Sequence, residues 1–259
     1  MLTDKLRPIV NIVALLGVLA VNFLAEAIPL NGLTSAQIAN RYPDILYFPA
    51  NYAFSIWSVI YAFLIAFGIY QALPAQRDNP HLQRIGWLFV ASCIFNAGWL
   101  ISFHYLQFAL SMVMMIALLF TLIVIYWRLG IGVESVSRAT KWLIHVPFSI
   151  YLGWITAATI TNAAYVLTDA GWGGFSIDAQ TWALIMLVIT GLLASYIVYT
   201  RRDVAYGLVI IWAVVSIAVR HTDVAVVNLT SIVVSVAVAL LVAYALWRYF
   251  DSQRLGWSM

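Results

Sequence analysis

Eight predominantly apolar runs follow one another along the chain, at residues 8–28, 50–73, 86–106, 108–127, 141–167, 179–200, 204–220 and 225–248. The hydrocarbon core of a bilayer is about 30 Å thick and a helix advances about 1.5 Å per residue, so roughly 17–25 apolar residues suffice to cross it. No water reaches the backbone there, which leaves the internally hydrogen-bonded helix as the natural form of such a run. Charged residues make up 9% of the chain and apolar ones 64%, against about 25% charged in an ordinary soluble domain. The expected fold class is therefore all-α: an integral membrane protein with about eight transmembrane helices.

The basic residues orient those helices. With a cytoplasmic N-terminus, the inner segments carry Lys5, Arg7, Arg77, Arg84, Arg128, Arg138, Lys141, Arg201, Arg202, Arg248 and Arg254, while the outer ones carry Arg41 and Arg220. This is the positive-inside bias of a multi-pass protein with both termini cytoplasmic, as in a bacterial-type cytoplasmic membrane. The net charge of +3 follows from that topology, and no basic patch argues for nucleic acid as a partner. Cys93 is the sole cysteine, which excludes an internal disulfide and a cysteine metal cluster. The start has a second reading as a signal peptide, with Lys5 and Arg7 before an apolar stretch that ends Ala25-Glu26-Ala27. Against it, the stretch from Ile9 to Leu24 is long for a signal sequence, and Asn11 and Asn22 interrupt it in a helical pattern.

Prolines and tryptophans punctuate the runs. Pro8 and Pro49 suit the first turns of helices 1 and 2, Pro74 closes helix 2, and Pro147, a turn or two into helix 5, is expected to bend it. The connection from Pro29 to Pro49 is the longest on the outer side, as a lid would be. Trp87, Trp127, Trp142, Trp182 and Trp247 fall at helix ends, with Trp172 and Trp257 just beyond, where amphipathic rings prefer the headgroup zone. Trp57, Trp99, Trp154 and Trp212 lie inside helices.

Polar and aromatic residues recur on single helix faces. Helix 1 carries Asn11, Leu15, Val18, Asn22 and Glu26; helix 3 carries Ser92, Asn96, Trp99 and Phe103; helix 5 carries Tyr151, Trp154, Ala158 and Asn162; and Trp57 and Tyr61 are one turn apart on helix 2. The topology sets Asn22, Glu26, Trp57, Asn96, Trp99 and Asn162 within about 5 to 15 Å of the outer boundary, with Trp154 nearer the middle. Four helices bringing such groups to one depth, beneath a long loop, describe a pocket for a hydrophobic ligand. Any one Asn is better explained as interhelical glue, worth roughly 0.6 to 2 kcal/mol. The coincidence of depth favours the pocket.

Three stretches resemble the TspO/MBR family, the translocator proteins also called tryptophan-rich sensory proteins. They are FPANYAFSIWSVIY at 48–61, IFNAGW at 94–99 and VPFSIYLGWITAATITN at 146–162. The resemblance implies a five-helix module over residues 1–170, with residues 171–259 as a three-helix extension. It also implies a bundle that binds hydrophobic ligands, porphyrins and sterols among them, beneath the loop between helices 1 and 2. Pro49, Trp57, Tyr61, Asn96, Trp99, Pro147, Trp154 and Asn162 stand at matching positions. Asn51 replaces a Trp of the family's pattern, Ile101 a Pro, and Pro147 is seven residues before Trp154 where about four is usual.

Other chemistry finds little footing. His104 and His145 fall at opposite ends of the membrane, which disfavours a bis-histidine haem. Neither Lys5 nor Lys141 lies mid-membrane, which excludes an opsin-like Schiff base, and Glu26 alone of the acids approaches the interior, which disfavours proton pumping and ion-coupled transport. No nucleophile stands with a base, and no carboxylate or histidine set suits a catalytic metal. Arg220-His221-Thr222-Asp223 reads as a solvated connector. The expected function is therefore a non-enzymatic membrane receptor or transport-type protein. Its candidate ligand-binding residues are Asn22, Trp57, Tyr61, Asn96, Trp99, Trp154, Ala158 and Asn162, and its ligand is a porphyrin or haem, a sterol or an isoprenoid. Lipid and a second copy, in a homodimer, are its expected partners. The alternatives are a structural assembly subunit and a pigment-modifying protein.

Overall fold

The computed structural model describes residues 2–255, and Trp257, expected just beyond the last helix, lies outside them. Among the described residues every regular element is helical, and the long helices are α1 (Leu2–Ala27), α2 (Ile56–Ala72), α3 (Leu88–His104), α4 (Phe108–Arg128), α5 (Val146–Asp169), α6 (Ala179–Arg201), α7 (Val204–Arg220) and α8 (Ala225–Leu255). Six helical stretches, those containing α1, α2, α4, α5, α6 and α8, are long and apolar enough to cross a membrane; α3 and α7 are apolar but shorter, at 17 residues each.

The chain forms two compact units. The first comprises residues 1–43, 54–130 and 134–172, the second residues 44–53, 131–133 and 173–259. In the first, α1 packs on α3, α3 on α4, α4 on α5, α5 on α2 and α2 on α1, so five helices close a ring. In the second, α6, α7 and α8 each pack on the other two.

Where lipid is the outer solvent, hydrophobicity does not tell the inner face of a helix from the outer, and small and polar residues mark it instead. On α1, Asn11, Leu15, Val18 and Ala25 are buried while Val13, Leu16 and Phe23 are exposed. Gly68 of α2 sits so close to α1 that a Cβ there would meet Leu15 Cδ2 at 2.8 Å. Aromatic side chains pack within the ring: Phe67 lies 4.9 Å from Phe89 and 5.1 Å from Phe148, both edge-on. Such pairs add about 0.5–1.5 kcal/mol each to the burial of their area. Helix starts follow local rules: Asp178 accepts from the Thr181 N–H at 2.9 Å and Asp203 from the Tyr206 N–H at 3.1 Å.

Pro74 lies just past the end of α2, as expected, whereas Pro8, Pro49 and Pro147 stand in settings that the sequence did not indicate. Helix α1 starts at Leu2, which leaves Pro8 inside it. Pro49 belongs to the second unit, and a 3-10 turn, Asn51–Ser55, precedes α2. Pro147 follows a π-turn, Lys141–His145, at the first positions of α5. The wider turn takes up the hydrogen-bonding mismatch that a proline imposes. The long outer connection is itself structured, with a 3-10 turn at Leu30–Gly32 and a short helix at Ser35–Ala39.

In the second unit, residues 44–53 run along the helices. Ala50 N–H donates to Ser216 C=O at 3.0 Å, Trp212 Nε1 donates to Ala53 C=O at 3.1 Å, and the Tyr47 hydroxyl pairs with Thr190 at 2.8 Å. Burial raises the Tyr47 phenol above its ordinary range. The Arg220 guanidinium lies 4.6 Å over the Phe48 ring, and His221 is buried. Burial, then the neighbouring Arg220, lowers the His221 imidazole from its usual value. In the 220–223 turn Thr222 and Asp223 are exposed, as in the solvated connector expected, but His221 is buried and Arg220 lies over Phe48, because residues 44–53 cover that side in a way that local sequence does not reveal.

Candidate functional site

Three helices of the first unit place polar groups on one hydrogen-bonded chain. Asn22 Nδ2 of α1 donates to Asn96 Oδ1 of α3 at 3.1 Å, and Asn96 Nδ2 donates to the Tyr151 hydroxyl of α5 at 2.8 Å. Asn96 has no exposed surface, and both ends of its amide are used. Asn22 also reaches back one turn to the Val18 carbonyl at 2.9 Å. A second chain lies further along α3 and α5. Trp99 Nε1 and the Ser111 hydroxyl of α4 both donate to Asn162 Oδ1, each at 3.2 Å, and the Asn162 amide faces Met112 Sδ at 3.4 Å.

Between these chains stands an aromatic stack. Trp57 lies 5.4 Å from Tyr61 and 5.9 Å from Trp99, near-parallel to both, and meets Tyr151 and Trp154 edge-on at 6.1 and 6.4 Å. From Trp99 the ring contacts continue to Phe103 at 5.9 Å, to Tyr165 at 5.6 Å and to Tyr42 at 5.8 Å. Tyr42 is on the long connection, which is tied to the helix ends it passes. Its hydroxyl donates to Asp169 at 2.6 Å, Asn31 donates to the His104 carbonyl at 3.3 Å, and the Ser35 hydroxyl pairs with His104 Nε2 at 3.0 Å. The hydrogen bond to Asp169, followed by partial burial, raises the Tyr42 phenol above its ordinary value.

Seven of the eight residues singled out from sequence thus share one connected cluster. Tyr61 stacks on Trp57, and its buried hydroxyl has no hydrogen-bond partner although the Asn22 and Asn96 amides are close. Trp154, expected nearer the middle of the membrane, joins through its edge contacts to Trp57 and to Phe54. Ala158 is half-buried one turn beyond Trp154 and brings neither a ring nor a polar group. Glu26, one turn above Asn22, is exposed. Reasoning from sequence left out Tyr151 as a site residue, although it shares the face of Trp154 and Asn162. It also missed Ser111, whose position in the first turn of α4, facing the last third of α5, was the available signal.

The stack presents π-faces and edges, and the hydrogen bonds of Asn22, Asn96, Trp99 and Asn162 beside it join neutral groups. Such a site can hold an apolar or planar molecule by ring contact and orient one polar substituent. It offers no paired acid and base.

No curated protein and no solved structure matches the chain. A family model described as TSPO-like protein matches residues 8–247, running past the first five helices and through most of the last three. The α-helical architecture, the long apolar helices and this match over most of the sequence agree, and the chain belongs to the TSPO-like protein family.

Proposed function

We propose that this protein binds a small hydrophobic ligand of the tetrapyrrole, sterol or isoprenoid class at the Trp57 stack, on the outer-leaflet side, for sensing or transport. The observation that carries the reading is Trp57 held between Tyr61 and Trp99, with Asn96 and Asn162 on either side. Rings supply area with little entropy to lose, and amides supply orientation, which together suit a ligand of low polarity. A porphyrin would be held here by stacking. Bis-histidine ligation of iron does not fit, because His104 ends α3 while His145 precedes α5, at opposite ends of the bundle. The protein acts as a binder and not as an enzyme, among lipids and as a homodimer in this reading.

A second reading, a structural assembly subunit, draws on one specific fact: the amides of Asn22, Asn96 and Asn162 bond to other side chains of the bundle. Tryptophan quenching in detergent separates the two. Protoporphyrin IX, cholesterol and geranylgeraniol are titrated into the full chain, and saturable quenching by at least one is expected, weakened in Trp99→Ala and Asn96→Ala while helicity is unchanged. Linear, unsaturable quenching by all three would sink the binding reading and leave assembly. Turnover of a bound pigment would replace both with a pigment-modifying activity.

A further inference from the structure

Two imidazoles meet away from the aromatic stack. His81 follows Pro80 in the short helix Pro80–Ile85, and its backbone N–H donates to the Asn79 cap at 2.9 Å. Asn79 is held in turn by Gln76 at 2.7 Å. His145 is the last residue of the π-turn that precedes α5, and π-turns recur at functional sites because they reset which side chains face inward. The two ring centres are 5.6 Å apart with their planes at 74°. His145 is only 5% exposed, and His81 Nδ1 and His145 Nε2 are both buried without a hydrogen-bond partner. Two orphaned nitrogens on neighbouring rings are costly unless something shared satisfies both.

The surroundings narrow what that could be. A neutral imidazole nitrogen is a metal donor, but zinc wants four ligands and calcium or magnesium an oxygen cage. Among the described residues no group of three or more His, Cys, Asp or Glu is placed to hold an ion. Glu134, the acid in this neighbourhood, has both carboxylate oxygens on Arg84, at 2.8 and 2.7 Å. That pairing holds its carboxyl below the usual carboxylate range. Around His145 the charge of Glu134 opposes those of Arg84 and Lys141, so no net negative charge is at hand to offset a divalent ion. Metal–nitrogen bonds of about 2 Å on both sides would set the ring centres roughly 6 Å apart, close to the spacing observed.

We propose that His81 and His145 form a two-coordinate site for a soft monovalent cation, Cu(I) or its surrogate Ag(I), held between His81 Nδ1 and His145 Nε2. Both nitrogens bind as lone-pair donors. The site is separate from the Trp57 stack and stands or falls without it.

The test uses the full chain in detergent, titrated with silver nitrate and, anaerobically with ascorbate, with Cu(I) against a competing chelator. One equivalent is expected to bind, and X-ray absorption of the copper-loaded protein is expected to show two nitrogen neighbours and no sulfur. His81→Gln and His145→Gln each lose this binding while eluting as the wild type does, and Cys93→Ser keeps it. Sulfur in the copper shell, an unchanged stoichiometry in the double histidine variant, displacement by equimolar zinc, or no saturable binding would each overturn the proposal. The absorption readout comes from the wild type, so it does not depend on how the variants fold.

Discussion

The two units hold their helices together by different means. In the first, the contacts at the candidate site are directional: an amide on an amide, an indole on an amide, a phenol at the end of the chain. In the second, α6, α7 and α8 meet one another largely by contacts of shape, while directional bonds such as Tyr47 to Thr190 and Trp212 to Ala53 C=O run to the 44–53 stretch. A Cβ on Gly207 would meet Val198 Cγ2 and Val242 Cγ2, each at 2.7 Å, and one on Gly191 would meet Val234 Cγ1 at 2.8 Å. The amide of Asn228 donates to a backbone carbonyl, that of Ala218, at 2.8 Å. Close packing of this kind forms one arrangement and has nothing to exchange. Hydrogen bonds between neutral side chains can be traded for bonds to a ligand at little net cost, because a bond replaced is worth far less than a bond lost. A binding role therefore belongs more naturally to the first unit.

The difference can be broken by substitution. Gly207→Leu should have the largest effect, since the new side chain has two valines in its way and α7 must move from both neighbours. About 2–3 kcal/mol of stability should be lost, read as a fall in thermal midpoint in detergent. A midpoint within a degree of wild type would show that the second unit is loosely packed after all. Asn96→Leu comes next, removing the shared partner of Asn22 and Tyr151 at nearly constant volume. Stability should fall by about 1–2 kcal/mol, with ligand quenching reduced further than that loss explains. Equal stability together with unchanged quenching would make this chain of hydrogen bonds irrelevant to both fold and site.

The smallest effect belongs to Glu134→Gln, at an exposed pair with Arg84 that lies 2.7 Å away. Because Arg84 holds the Glu134 carboxyl below its usual value, the pair contributes stability above the ordinary carboxylate pKa. That contribution is lost as the pH falls through the lowered one. The wild type and Glu134→Gln should therefore differ slightly near neutral pH and converge in acid, and a gap that widens in acid would reverse the assignment.

Much of the helical architecture was legible in the chain because the bilayer imposes a length and apolar composition reports it. The inward face of α1 was legible too, since Asn11, Leu15 and Val18 recur at helical spacing and are buried, although Glu26 at the end of that stripe is exposed. Local signals misled where a segment served a distant partner. Pro49 and Asn51 read as the start of helix 2, yet residues 44–53 belong to the second unit. His221 read as solvated, yet it is buried. The His81–His145 contact lay beyond any periodicity, because it joins two elements far apart in the chain.

By itself, the sequence determined which stretches become helices and which side of each turns from lipid, since both follow from spacing along one chain and from the cost of bare polar groups in hydrocarbon. The tertiary structure alone decided which inward groups meet: Asn22 with Asn96, Asn96 with Tyr151, Trp57 between Tyr61 and Trp99. Those pairings depend on the rotation and lateral order of packed helices, which are set by the sum of weak contacts around the ring and leave no mark at any one residue.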